Sequence, residues 1–241
     1  NDILSANRNS LQLFDMLHSM RQFDDLTYVH SVNVALIASI LGQWLKFSEK
    51  DIRILTISGL LHDIGKIMIP NEILTKPGKL TVAEYNIMKQ HVNFGYEKVK
   101  NQNIDIRIKE ACLLHHEKCD GTGYPFGLKS DHIPAVAKII AIADVYDAMT
   151  SARVYRGALC PFEVIDTMYK DAFTKFEPEY ILPFLKNVAS SYINNDVRLS
   201  DGRIGKVVLI NENALSLPIV QCEDEFIDLS KTRGLTVSAI L

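Results

Sequence analysis

The sequence places a histidine and an aspartate side by side at the end of a largely apolar stretch. Residues 52–61 lead directly into His62 and Asp63, and Gly65 follows. Neighbouring residues on a helix point about 100° apart, so both side chains can face one point only near a helix end. Gly65 suits such an end, because glycine tolerates the left-handed conformation of a helix C-cap. The pair therefore predicts either a metal site or a hydrogen-bonded histidine beside a C-terminal aspartate.

Further imidazoles and one further carboxylate lie in a similar apolar context. A lone polar group is costly to bury unpaired, so one such histidine is usually a hydrogen-bonded core residue. Here seven residues of ligand type are spread over five predicted helices, which favours a shared metal site: His30, His62, Asp63, His91, His115, His116 and Asp144. A mixed imidazole and carboxylate set suits iron, manganese or zinc better than calcium or magnesium. Helix bundles commonly build dinuclear sites from such inward-facing side chains.

Hydrophobic periodicity predicts the helices that position these residues. Predicted helices begin near residues 1, 26, 48, 81, 105, 134, 161 and 178, and the one that begins with a capping box at Thr81 carries His91. The period changes near Val197, and Asp201-Gly202 is a hairpin signal. The sequence thus predicts a mainly α-helical protein with a small C-terminal β segment. We divide it into an N-terminal helix or linker (1–22), a helical domain (23–192) and a β-rich segment (193–241).

Composition narrows the class of protein. Apolar residues make up 47% and charged residues 23%, as in an ordinary globular chain, and the net charge of −3 predicts no broad attraction to a nucleic acid polymer. The four cysteines form no CxxC pair, which indicates reduced thiols in a cytoplasmic chain. We expect no membrane span and find no signal-peptide pattern. Because the first residue is Asn1 and not methionine, the chain is expected to be a fragment.

Several motifs, in a fixed order, resemble the HD-GYP domains, which are metal-dependent phosphodiesterases of cyclic di-GMP within the HD superfamily. They are His-Asp-Ile-Gly-Lys at 62–66, His-His-Glu at 115–117 and Asp-Gly-Thr-Gly-Tyr-Pro at 120–125. The match continues through residues 139–150 and 153–156 and covers roughly residues 20–190. His-His-Glu followed by Gly-Tyr-Pro distinguishes this family from other HD proteins. The resemblance implies an HD-type helical bundle and phosphodiesterase activity.

The resemblance also implies roles for individual residues. The seven residues named above would be the metal ligands, with Asp63 bridging two metals. Asp63 and Lys66 would be catalytic, with Lys66 near the scissile phosphate, and Tyr124 would belong to a loop that closes over the substrate. Arg153 and Arg156 match positions that clamp phosphate in the family. A bidentate arginine fork suits a phosphodiester in any case, and the alternative for these two residues is a solvated loop with scattered charge.

Two departures from the family pattern affect the expected site. Some members carry a carboxylate one turn before the first histidine, which adds a third metal, and here that position is Leu26. Asp25 lies one residue away, about 140° from the face of His30 on a helix. We therefore expect two divalent transition metals, iron or manganese, and not three. Val154 stands where proline is usual, which loosens a turn but removes no donor.

The expected activity is hydrolysis of cyclic di-GMP to linear pGpG, and to GMP if a second cut follows. A metal-bridging hydroxide would attack phosphorus in line. Two alternatives stay open: hydrolysis of another cyclic dinucleotide or nucleotide, and a catalytically silent module that binds cyclic di-GMP or docks a diguanylate cyclase. The complete ligand set argues against the silent module. The leucine-rich first helix could pair with its copy in a homodimer. The β segment is expected to be a lid or a packing module.

Overall fold

The computed structural model describes residues 15–22, 24–151 and 159–241. The helices cover residues 15–22 (α1), Asp25–Trp44 (α2), Glu49–Leu61 (α3), Asn71–Leu74 (α4), Val82–Met88 (α5), His91–Val99 (α6), Ile106–Leu114 (α7), Ala135–Thr150 (α8), Pro161–Asp171 (α9) and Pro178–Ser191 (α10). The strands are Asp196–Leu199 (β1), Ile204–Leu209 (β2), Ile219–Cys222 (β3), Glu225–Asp228 (β4) and Val237–Ile240 (β5). The predicted fold class, mainly α with a small C-terminal sheet, is confirmed.

The chain divides into two compact units, Asn1–Ala148 and Met149–Leu241. Helices α2 to α7 and most of α8 belong to the first unit, whereas α9, α10 and the sheet belong to the second. The predicted helical domain, residues 23–192, groups α9 and α10 with the earlier helices instead. Its boundaries as a functional domain stay a prediction.

Helices α2 and α3 form the frame of the first unit. Each begins at a side-chain cap: Thr27 N donates to Asp24 Oδ2 at 2.9 Å, and Asp51 N donates to Ser48 Oγ at 3.2 Å. The two helices approach closely because residue 59 has no side chain. A Cβ on Gly59 would lie 2.5 Å from the Cα of Ala35. This close packing fixes the last turns of α3 against the middle of α2.

Helix α2 corrects the expectation that no stretch could span a bilayer. Its 20 residues are long and apolar enough to cross a membrane by length and composition alone. In the fold, α2 packs along α3, and 33% of its apolar window is buried. Core helices of globular domains pass the same test, so this one helix is weak evidence for a membrane span.

The predicted helix from Thr81 through His91 is in fact two helices. The capping box is confirmed, because Glu84 N donates to Thr81 Oγ1 and Thr81 N donates to the Glu84 carboxylate. That helix, α5, ends at Met88, and His91 begins α6. His91 therefore occupies a helix start, where the chain can turn its side chain toward α3.

Gly65 is essential for a reason other than the predicted left-handed C-cap, which is wrong. Gly65 has no positive φ, and it lies in a 3-10 turn, Ile64–Met68, that packs on α6. A Cβ on Gly65 would lie 1.9 Å from the carbonyl oxygen of His91 and 2.4 Å from the amide nitrogen of Gly95. Two backbone segments meet here, so a side chain has no room.

We expect Gly65→Ala to lower the free energy of unfolding by about 3 kcal/mol, because the two backbone segments must separate. Gly95→Ala is the matched control on the other side of the same contact. A Cβ on Gly95 would meet ordinary van der Waals neighbours, the nearest at 3.4 Å, inside a helix that alanine favours. Urea denaturation of both variants checks this, and equal stabilities would contradict it.

The second unit is an antiparallel sheet with two amphipathic helices. The strand order is β4-β3-β2-β1-β5, and the predicted hairpin at Asp201-Gly202 is confirmed between β1 and β2. Helix α9 packs on α10 and on β5. Proline occupies the first turn of both helices, where its missing N–H costs nothing.

Candidate metal centre

The seven predicted ligands come together in the first unit. They are contributed by α2 (His30), the end of α3 (His62, Asp63), the start of α6 (His91), the residues just after α7 (His115, His116) and α8 (Asp144). Their ligand atoms form two groups, and within each group all these atoms lie within 4.8 Å of one another. The first, called here the His91 group, is Asp63–His91–His115–His116. The second, the His30 group, is His30–His62–Asp144. The alternative interpretation of the His-Asp pair, a hydrogen-bonded histidine beside a C-terminal aspartate, would not explain why the other five residues gather around it.

Asp63 belongs to the group with His91 and also lies beside two histidines of the other group. Its Oδ1 is 3.4 Å from His91 Nε2 and 4.0 Å from His115 Nε2. Its Oδ2 is 3.3 Å from His62 Nε2 and 3.7 Å from His30 Nε2. One carboxylate oxygen therefore faces each group, which is the arrangement that a bridging ligand requires.

Backbone carbonyls fix the orientation of three imidazoles. Each donates its Nδ1–H to a carbonyl oxygen three or four residues earlier: His62 to Gly59 at 2.8 Å, His91 to Met88 at 2.7 Å and His115 to Ala111 at 2.9 Å. A carbonyl oxygen only accepts, so the hydrogen must be on Nδ1 and the lone pair on Nε2. All three rings are thereby prepared to ligate a metal through Nε2.

Two atoms at the centre of the cluster are buried without a hydrogen-bond partner among the described residues. They are His62 Nε2 and Asp63 Oδ1, on residues that are 0% and 1% exposed. A buried acceptor without a partner costs free energy, and native structures contain few such groups. A metal ion at each group would satisfy both atoms, so these residues fit the metals that the sequence predicts.

Burial and neighbouring charges set the protonation of the cluster. Burial is the main cause that lowers the pKa values of His91 and His115 and brings the pKa of His116 to about 3. Burial alone would raise the pKa of Asp63, but the Lys66 ammonium group holds it well below its usual value. Burial alone would lower the pKa of His30, but Asp144 and Asp147 outweigh it.

His30 is the imidazole that must lose a proton to bind metal. Its pKa is raised to about 9, so it is charged at pH 7, whereas a metal ligand must be neutral. We expect metal binding at pH 7 to release one proton from His30 and to tighten as the pH rises toward about 9. Calorimetric titration in buffers of different ionisation enthalpy measures this release. An affinity that is the same at pH 6.5 and pH 8.5 would contradict it.

Two predicted substrate residues border the cluster. Lys66 Nζ donates to Asp63 Oδ2 at 2.5 Å. The Tyr124 ring stacks on the His116 ring, with centroids 4.7 Å apart and planes at 27°. Arg153 and Arg156 lie outside the described residues, so their phosphate contacts stay a prediction. The Asp25 side chain is 83% exposed and belongs to neither ligand group.

Glu117, for which no role was predicted, holds the loop that carries Tyr124. Its buried carboxylate accepts from Phe126 N at 2.7 Å and from Leu128 N at 2.8 Å. The backbone at Gly123 passes so close to Glu117 that a Cβ on Gly123 would lie 2.5 Å from the Glu117 Cα. The position of Glu117 within the His-His-Glu motif was the available signal.

Comparison with known proteins identifies the family. The HD domain family matches residues 11–180, so the chain belongs to the HD domain family. The predicted resemblance to its HD-GYP members is confirmed.

One relative is cyclic di-GMP phosphodiesterase PA4108 of Pseudomonas aeruginosa, 36% identical over 84% of this chain and 49% of that protein. Another is 3'3'-cGAMP-specific phosphodiesterase 1 of Vibrio cholerae, 40% identical over 59% of this chain and 33% of that protein. The chain spans about half the length, or less, of these relatives.

Solved structures support the fold. The HD domain of the L. monocytogenes phosphodiesterase PgpH, in complex with cyclic-di-AMP, is 18% identical to this chain, with a TM-score of 0.56. The match covers 73% of this chain and 95% of that one. At this identity the likeness concerns the fold alone.

Proposed function

We propose that this chain is the catalytic part of a metal-dependent phosphodiesterase that hydrolyses cyclic di-GMP to linear pGpG and, with a second cut, to GMP. The observation that carries the proposal is Asp63, whose two oxygens face two separate groups of imidazole and carboxylate ligands. The two relatives described above support the choice of substrate, because both are named as phosphodiesterases of cyclic dinucleotides.

The cofactors proposed are two divalent transition metals, iron or manganese. Imidazole-rich sites with a few carboxylates suit these ions. The His91 group would hold one ion and the His30 group the other, with Asp63 shared. When bound, such a pair supplies Lewis acidity and a nucleophilic water at neutral pH. With Leu26 at the third-metal position and Asp25 exposed, we propose no third ion.

The remaining polar residues act on the phosphate and its surroundings. Lys66 is 20% exposed at the edge of the cluster, where its ammonium group can leave Asp63 and stabilise charge on a phosphate oxygen. Tyr124, whose ring stacks on that of His116, is proposed to belong to a loop that closes over the substrate. Arg153 and Arg156 are proposed to bind a phosphate through bidentate hydrogen bonds.

A second candidate substrate is a mixed cyclic dinucleotide, favoured by the relative that is specific for 3'3'-cGAMP. Cyclic di-GMP and 3'3'-cGAMP differ only in one purine base, so the residues that contact phosphate serve both. A silent binding module is disfavoured, because such a module has no need for a complete ligand set with unpaired lone pairs.

Incubation of the anaerobically purified chain with each dinucleotide tests the substrate. Separation of products by chromatography, with manganese present, should give pGpG from cyclic di-GMP faster than the linear product from 3'3'-cGAMP. The reverse order of rates would make the mixed dinucleotide the substrate. Binding of both without any cleavage would overturn the proposed enzyme.

Other proposals concern the context of the chain. We propose a cytoplasmic location, a homodimer through the N-terminal segment, and contact with diguanylate cyclase-type partners. Residues 1–14, which carry most of the predicted leucine-rich helix, lie outside the described residues. Light scattering of the chain with and without residues 1–22 tests the dimer, which we expect only in the longer chain.

A further inference from the structure

His30 differs from the other oriented imidazoles because a carboxylate, and not a backbone carbonyl, accepts its Nδ1–H. Asp147 Oδ2 accepts this hydrogen at 2.6 Å. The other oxygen, Asp147 Oδ1, accepts from the side-chain amide of Asn33 at 2.9 Å. Asp147 is only 4% exposed, and no role was predicted for it.

Two helical turns face each other at this point. His30 and Asn33 are three residues apart on α2, and Asp144 and Asp147 are three residues apart on α8, so each pair shares a helix face. Asp144 Oδ1 lies 3.0 Å from His30 Nε2. Both nitrogens of the His30 ring therefore face a carboxylate of α8.

The two carboxylates compete for the one hydrogen of a neutral His30 ring. With the hydrogen on Nδ1, the lone pair of Nε2 points toward the ligand group. With the hydrogen on Nε2, the ring hydrogen-bonds Asp144 and cannot ligate. The acceptor at Nδ1 thus decides whether this imidazole is a ligand, as in carboxylate–histidine–metal triads.

We propose that Asp147, held in place by Asn33, is a positioning residue that keeps His30 Nε2 available, so that metal occupancy of the His30–His62–Asp144 group depends on it. The other group does not, because His91 and His115 are oriented by backbone carbonyls. This inference rests on the two-metal centre of the proposed function.

The test is a manganese titration of the full chain after complete chelation, with four proteins compared. These are the unchanged chain, Asp147→Ala, Asp147→Asn and the surface control Asp131→Ala, whose side chain is 74% exposed. In Asp147→Asn the new amide oxygen can still accept from His30, once the Asn33 amide turns its own oxygen toward the new amide group. Nitrogen NMR of the labelled histidines, recorded without metal at a pH at which the His30 ring is neutral and assigned with a His30→Gln variant, measures the tautomer of the His30 ring.

We expect Asp147→Ala to bind one of its two manganese ions normally and the other about 10 to 100 times more weakly. Its His30 hydrogen should move to Nε2. Asp147→Asn should keep the hydrogen on Nδ1 and lose far less affinity, and Asp131→Ala should match the unchanged chain. Two unchanged affinities in Asp147→Ala, equal losses at both sites, or equal losses in the alanine and asparagine variants would overturn the proposal.

Circular dichroism distinguishes an orienting role from a folding defect. If Asp147→Ala fails to fold, Asn33→Ala replaces it, because this change leaves the His30–Asp147 bond but removes the amide that donates to Asp147 Oδ1. We then expect a smaller loss at the same single site, and no loss overturns the proposal. An unchanged chain that binds fewer than two ions also overturns it. Two ions bound without hydrolysis of any cyclic dinucleotide would instead refute only the proposed function.

Discussion

Asp63→Asn is expected to lower turnover of cyclic di-GMP by at least about 10³-fold. Removal of one preorganised polar group from an active site can lower kcat by this factor. The substitution keeps the shape of the side chain but replaces one buried oxygen by an amide group. That group would face the Nε2 lone pair of His62 or of His91 and remove the shared ligand between the two groups. Turnover and bound metal per chain should fall together.

Asp131→Asn is the matched control for Asp63→Asn, because Asp131 is exposed and lies in neither ligand group. Its turnover should equal that of the unchanged chain. Circular dichroism should be the same for all three proteins, since no volume changes. Normal turnover in Asp63→Asn would contradict the assigned site as a whole.

Lys66→Met is expected to lower kcat about 10²-fold while bound metal stays unchanged. Lys66 lies at the edge of the cluster and pairs with Asp63, yet an ammonium group is not a metal ligand. Removing it takes away charge stabilisation that grows as the phosphate reacts, so kcat should fall more than KM changes. Lys79→Met, at an exposed position, is the control. An effect on metal content as large as the effect on kcat would contradict this role.

The candidate site was largely predictable from the sequence, because residue type and order carry the information. A histidine is costly to bury in an apolar helix without a partner, and several such histidines together indicate metal binding. The finer geometry was not predictable. The two-sided position of Asp63 depends on how α2, α6 and α7 pack around the end of α3, and no local pattern records that packing.

The features that were predicted wrongly or not at all share a physical cause. Each depends on contact between segments that are distant in the chain. Gly65 has the residue type of a C-cap, but the approach of the α6 backbone is what requires glycine there. Asp147 has the residue type of an ordinary helix acid, and only its contact with His30, 117 residues away, gives it a role. Strand β5, which the sequence did not reveal, forms by pairing with β1.

Local signals succeeded where the interaction is short in sequence. The capping box from Thr81 to Glu84 and the hairpin at Asp201-Gly202 both depend on residues within a few positions of each other. The same signals could not show that α5 ends before His91. The tight turn between α5 and α6 lies where the α6 backbone meets Gly65, again a contact between distant residues.

The proposed enzyme requires one cluster of side chains in the first unit to hold two metal ions for hydrolysis of a cyclic dinucleotide. The most direct measurement is metal analysis of the anaerobically purified chain, with turnover of cyclic di-GMP measured before and after chelation. We expect two equivalents of iron or manganese per chain, loss of turnover on chelation, and recovery when iron(II) or manganese(II) is returned. Turnover that persists after complete removal of metal would contradict this requirement.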